Sequence, residues 1–161
     1  MEDLKGSARR VAEELRRLGM ATTVKTMPDS TRTAGEAAAA IGCDVAQIVK
    51  SLVFRAVEGD EPVLVLMPGD LRVDEGRLAE VVGGPVERAS GRFVRDRTGF
   101  AIGGVAPVGH PTHVSIYMDE HLLAHDVVWA AAGTPHSVFA VAPGELQGAT
   151  GAHLASISAG P

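Results

Sequence analysis

The sequence predicts a mixed α/β domain of the α+β kind: a sheet of mostly short strands with helices around it. Three observations carry that reading. The runs KSLVFRAV (50–57) and PVLVLM (62–67) flank the turn-forming EGDE and read as a hairpin at the heart of the sheet. Helix signals with recognisable caps fall between the strand-like runs without strict alternation, and no internal repeat is present. Finally, 161 residues that are 45% hydrophobic suffice for one domain spanning 1–161, burying about two-thirds of its unfolded surface.

The elements follow in order. Ala8, Val11, Leu15 and Leu18 recur at helical spacing with Gly19 as the stop, so residues 7 to 18 form an amphipathic helix. ATTVKTM (21–27) is strand-like. Thr33 and Glu36 have capping-box spacing ahead of the alanine run 37 to 40, and Asp44 caps a short helix ending near Ile48, which puts Lys50 at a helix-to-strand junction. Asp74 caps a helix through Leu78 and Val82, VERA (86–89) is a short strand, and Ser90 caps GRFVRDR. HVSIYM, VVWAAA and HSVFAV are three more strands, Pro143 opens a last helix over GELQGA, and the tail ISAGP is expected to fray.

Composition narrows the function classes. A net charge of -5 argues against a protein that wraps duplex DNA through a broad phosphate-neutralising surface, though it leaves room to grip one end of an RNA. The single cysteine, Cys43, rules out an internal disulfide and reads as a small buried hydrophobe beside Gly42. MEDLKGSARR lacks the apolar core of a signal peptide and no run approaches a membrane span, so the expected location is the cytoplasm.

Two features ask for chemistry. Lys50 lies within IVKSLVF, where an ammonium costs several kcal/mol unless it is paired or reaches a wet cleft. IGGVAPVGHP (102–111) is dense in glycine and proline, and such a loop brings backbone N–H groups close to a ligand. Taken alone it reads equally as a surface turn.

Taken together with Lys50, it forms a pattern. TAGEAAAAIGCDVAQIVKSLVF (33–54), GGVAPVGHP (103–111), MDEHLL (118–123) and AAAGTPHSVFAVAPGELQGATGA (130–152) stand in the order and at the distances that resemble the YbaK/prolyl-tRNA-synthetase-associated editing-domain family, over about residues 20 to 155. The resemblance implies a stand-alone domain that hydrolyses the ester of mischarged aminoacyl-tRNA in trans, a translation-fidelity role. It implies no metal and no cofactor. It carries over Lys50 as the family's lysine and Gly103, Gly104 and Pro107, with Val105 and Ala106 between them, as its G-x-x-x-P loop. Lysine then pairs with a phosphate near the 3′-terminal adenosine of the acceptor end, and loop N–H groups hold the oxyanion as a water, positioned by backbone and the substrate's own ribose hydroxyl, attacks. Ser51 is a further contact candidate, although side chains adjacent on a strand point to opposite faces. Gly133, Thr134 and His136 stand where the family borders its pocket, and His136 reads either as a hydrogen-bond partner of the substrate or as a partly exposed histidine at a strand end. Some members carry aromatics where this chain has Lys25 and Ala34, so the amino acid removed stays open among alanine, serine, threonine, cysteine and 2-aminobutyrate. A prolyl-tRNA synthetase is the implied partner.

Other readings are weaker. His121 and His125 have metal-pair spacing, but HLLAH lacks the glutamate of HExxH and has no third ligand; His110 and His113 read as loop residues. GGVAPVG lacks dinucleotide-binding spacing. Arg88, Arg92, Arg95 and Arg97 read as a solvated charged face, Asp119 as a cap, and Tyr117 and Trp129 as core. The alternative of a different class is a noncatalytic module of the same fold that binds tRNA or a synthetase.

Overall fold

The computed structural model of the chain describes residues 6–160; the sequence readings made on residues 1–5 and on Pro161 lie outside them. From the N-terminal side come α1 (Gly6–Arg17), β1 (Lys25–Thr26), α2 (Ala34–Ile41), a 3-10 turn (Val45–Gln47), β2 (Ile48–Ala56), β3 (Glu61–Pro68), β4 (Arg72–Val73), α3 (Glu75–Val82), β5 (Val86–Arg88) and α4 (Gly91–Thr98). After a long loop follow β6 (Ser115–Asp119), a second 3-10 turn (Glu120–Ala124), β7 (Val128–Ala131), β8 (Ser137–Val141), α5 (Pro143–Thr150), β9 (His153–Ala155) and β10 (Ser158–Gly160).

Of the N-caps expected at Thr33, Asp44, Asp74 and Ser90, three form, whereas Asp44 stands at the N-cap of the first 3-10 turn without a side-chain cap bond and gives its own N–H to Gln47 Oε1 at 3.0 Å. Thr33 Oγ1 accepts the Glu36 N–H at 3.1 Å while Glu36 Oε1 accepts the Thr33 N–H at 3.2 Å, and Gly42 closes α2 in the left-handed region. Asp74 and Ser90 accept the N–H groups of Arg77 and Phe93 at the starts of α3 and α4.

The mixed eight-stranded sheet runs β1-β8-β7-β2-β3-β6-β9, with β5 also on β2. β2 and β3 form the expected antiparallel hairpin, in unbroken register from Val49↔Pro68 to Ala56↔Glu61. Period-two alternation divides β3 between two cores. Leu64 and Leu66 join Val11 and Leu15 of α1, Phe100 and Phe139; Val63, Val65 and Met67 join Phe54, Leu78 and Ile157.

Two expectations change. Of ATTVKTM only Lys25–Thr26 forms a strand, in register with Val138 and Ser137 of β8, and Met27 adds one bond by donating its N–H to the His136 carbonyl at 2.7 Å. The tail is held rather than frayed: Ile157 is fully buried, donates its N–H to Asp119 Oδ1 at 3.2 Å and accepts the Asp74 N–H at 2.8 Å, and β10 pairs with β4. Non-local bonds to a buried carboxylate outweigh the composition of the segment.

Candidate active site

β2 is flanked incompletely on the side away from β3. β7 pairs with it only at Ile48 and Val49, in parallel, and β5 only from Phe54 to Ala56. Residues 50 to 52 therefore face a gap between two neighbours, and Ala89 closes its far end by donating its N–H to the Val53 carbonyl at 3.2 Å. A cleft of about 370 Å³ opens over this gap, with Lys50 and Ser51 on its floor, Trp129 and Ala37 on one wall, and Ile102, Gly103 and Val105 opposite. That volume suits a small ligand or the end of a larger one. A recess of about 120 Å³, shared by Ser51, Leu52, Ile102, Gly103 and Val105, continues toward Arg88 and Val94.

Lys50 is the third residue of β2, a little inside the expected junction. It shares a face with Leu52 and Phe54, which pack in the second core, whereas Ser51 shares a face with Val49 and Val53 of the first. The opposite-face expectation holds, yet both line the cleft because it meets β2 at the gap. Lys50 Nζ donates to the Leu71 carbonyl at 2.6 Å, and among the described residues no carboxylate reaches it at ion-pair distance. Burial lowers its pKa from the ordinary lysine value, Arg88 and Arg72 push the same way, and Asp70 opposes them. Ser51 Oγ is buried and, among the described residues, has no hydrogen-bond partner.

The opposite wall is irregular. Gly103, at φ 92°, occupies the left-handed region. The Gly104 N–H closes a turn onto the Ala101 carbonyl at 3.0 Å, and a Cβ on Gly104 would lie 2.9–3.1 Å from the Thr134 backbone. Among the described residues the N–H groups of Ile102, Gly103 and Val105, all three in the cleft lining, have no acceptor. Ala106 and Pro107 are buried behind it. His110 Nε2 donates to the Ala106 carbonyl at 2.8 Å and packs edge-on against Phe100. Burial lowers the pKa of His110; its bond to Ala106 opposes that shift and Arg10 adds to it.

Of the remaining expected residues, Gly133 packs on the Ser7 backbone and Phe100, and Thr134 supports Gly104 from behind; neither lines the cleft. His136 is exposed, and its carbonyl accepts the Met27 N–H. Sequence reasoning missed Arg32, whose stem lies on Gly103, and it placed Trp129 in the core. Trp129 does pack against Ala37, Ala38 and Ile48, but it also forms a cleft wall, with the Lys25 ammonium 5.2 Å from its ring centroid.

The rival clusters resolve otherwise. His121 Nδ1 and N–H both bond the buried Asp119 carboxylate, which caps the second 3-10 turn, and among the described residues no three metal-ligating side chains converge. Arg88, Arg92 and Arg97 pair with Glu75, Asp96 and Asp60. Among the described residues no helix is long and apolar enough to cross a membrane.

Comparison with known proteins places the chain in a family. The model of the aminoacyl-tRNA editing domain matches residues 28–149, and the chain belongs to that family. It is 34% identical to YwhH of Bacillus subtilis (strain 168) over 117 residues, covering 73% of this chain and 74% of that protein. A proline--tRNA ligase of Limosilactobacillus fermentum is 38% identical over 104 residues, covering 62% of this chain but only 18% of the ligase. A crystal structure described as a candidate trans-editing enzyme for prolyl tRNA synthetase superposes with a TM-score of 0.91 at 48% identity, over 98% of this chain and 100% of that one.

Proposed function

We propose that the chain acts in trans, in the cytoplasm, as a metal-independent deacylase of tRNA carrying a wrongly attached small amino acid, tRNA-Pro being one candidate, alongside a prolyl-tRNA synthetase. The observation that carries this reading is the meeting, across one cleft, of an unpaired lysine floor and a wall whose N–H groups at Gly103 and Val105 lack acceptors.

Lys50 holds a phosphate of the 3′-terminal nucleotide, supplying the anion its partly buried ammonium lacks. The ester carbonyl lies against Gly103 and Val105. Water, oriented by backbone and by the free ribose hydroxyl, bonds to the carbonyl carbon, and the oxyanion is held by the two N–H groups. The bond to the ribose oxygen then breaks, that oxygen takes the proton, and the free amino acid and tRNA leave. Gly104, Ala106 and Pro107 act by holding the wall in place. Small side chains are where synthetases most need such editing, since one methylene discriminates by only about 1–3 kcal/mol.

The test is a deacylation panel: tRNAs mischarged with alanine, serine, threonine, cysteine or 2-aminobutyrate, with prolyl-tRNA as control, for the wild type and Lys50→Met. The expected result is rapid release of at least one wrong amino acid with prolyl-tRNA spared, and a fall in kcat/KM of roughly 10- to 100-fold in the variant, the loss of one charged hydrogen bond. Measurable tRNA binding without release from any tRNA would favour the noncatalytic module.

A further inference from the structure

Most arginines of the described chain are already engaged. Arg9, Arg17, Arg55, Arg77, Arg92 and Arg97 each face a carboxylate, as does Arg88, and Arg10 donates to the Gly99 carbonyl. The Arg32 guanidinium has no such partner among the described residues, and of the arginines without one it alone lines the cleft.

Its position is fixed from both ends. The preceding residue, Thr31, is buried and gives its N–H and its hydroxyl to the Pro135 carbonyl, at 2.6 and 2.8 Å. The Arg32 stem then crosses the α-carbon of Gly103: a Cβ there would sit 2.5 Å from Arg32 Cγ and 3.2 Å from Cδ and Nε. A stem seated this way has surrendered part of its rotamer freedom before any ligand arrives, so its guanidinium binds an anion at lower entropic cost. The planar fork suits a phosphodiester, which accepts two parallel N–H bonds. In a chain of net charge -5, Arg32 and Lys50 put two cations on the lining of one cleft.

Building on the deacylase reading, we propose that Arg32 is a substrate-binding residue that grips an internucleotide phosphate of the RNA 3′ end from the rim of the cleft, above Gly103, while Lys50 serves the floor. Its role is to hold the RNA, so its weight falls on binding more than on the chemical step.

Three variants separate charge from packing. Arg32→Met keeps the stem over Gly103 without the charge, Arg32→Lys keeps the charge without the fork, and Arg32→Ala loses both. Each is assayed on a mischarged tRNA and on the matching aminoacyl-adenosine, the same ester without any phosphate. The expected result for Arg32→Met is a 10- to 100-fold fall in the ratio of kcat/KM on tRNA to kcat/KM on the nucleoside ester, carried by KM, with partial recovery in Arg32→Lys. In parallel, the affinity for uncharged tRNA is measured against salt. Loss of one phosphate contact on a single strand lessens the slope of log K against log salt by about 0.7 in Arg32→Met. Equal losses on both esters, or a slope identical to that of the wild type, would overturn the proposal and leave Arg32 as packing over the loop. If the wild type cleaves neither ester, the deacylase reading fails, and the salt slope alone decides the role of Arg32.

Discussion

The floor and the opposite wall of the cleft are built on opposite plans. The floor is a ladder: β2 is paired with β3 from Val49 to Ala56, and Leu64, Val65, Leu66 and Met67 of β3, alternating between the two faces of the sheet, are fully buried beside it. The wall, residues 101 to 111, is held among the described residues by few bonds, the Gly104 turn and the His110 contact to Ala106. Pairing with β3 consumes the main-chain groups on one edge of the floor, so recognition there draws on the side chains of Lys50 and Ser51 and on the main-chain edge that faces the gap. The wall has small residues and spare main-chain donors, so recognition there falls to backbone. Each region offers what its own construction leaves over, and each breaks by a different kind of substitution.

The wall is the easier to break. Gly104→Ala puts a methyl group 2.9–3.1 Å from the Thr134 backbone, which cannot swing aside as a side-chain end can. The expected cost is about 1–3 kcal/mol of stability from overpacking, read from the denaturant midpoint. Displacing oxyanion donors should also cost on the order of 10²–10³ in kcat. Full activity in a folded Gly104→Ala protein would show that the wall does not depend on this fit.

His110 sharpens the comparison through pH. Its folded-state pKa lies below the ordinary 6.5, chiefly because burial disfavours the imidazolium. The unfolded chain therefore binds the proton more readily, and His110 lowers stability as pH falls below 6.5 toward its folded value. Above 6.5 its contribution is flat. His110→Gln should flatten the acid limb of a stability–pH curve while costing about 0.5–1.5 kcal/mol at neutral pH for the weakened bond to Ala106. Identical curves for variant and wild type would remove His110 from the account of how the wall is held.

The same contrast explains what was legible in the sequence. The hairpin, the capping box of α2 and the caps at Asp74 and Ser90 are local, so short patterns reveal them. Lys50 was conspicuous because its apolar neighbours made a charge costly. The tail was misread because its partners, β4 and the Asp119 carboxylate, are distant in sequence. Arg32 was overlooked for a similar reason: within DSTRT it looks like any loop arginine, and only the close approach of Gly103 gives it direction. Gly133, Thr134 and His136 were placed at the pocket border by resemblance, whereas the turn at Gly133 faces α1 and brings Thr134 behind Gly104. The faint available signal was the glycine at 103 itself, since a left-handed residue in a tight loop often marks something packed against it.

The smallest expected effect tests the floor. Ser51 Oγ is buried without a partner among the described residues, and an unpaired buried hydroxyl costs about 1–3 kcal/mol relative to one that is bonded. Ser51→Ala removes that liability and leaves a gap of only one oxygen atom, so the free protein should keep its stability or gain up to about 1 kcal/mol. If the hydroxyl instead serves substrate, turning about χ1 toward the recess it lines, the variant loses discrimination rather than rate. The ratio of kcat/KM for seryl- over alanyl-tRNA should then shift by less than about tenfold, the worth of one neutral hydrogen bond. A stability loss above about 1 kcal/mol would mean that the hydroxyl already has a partner in the free protein. In that case Lys50 is the only one of these two floor side chains left for recognition, and the choice of amino acid must be made by the apolar sides of the recess, Leu52, Ile102 and Val105.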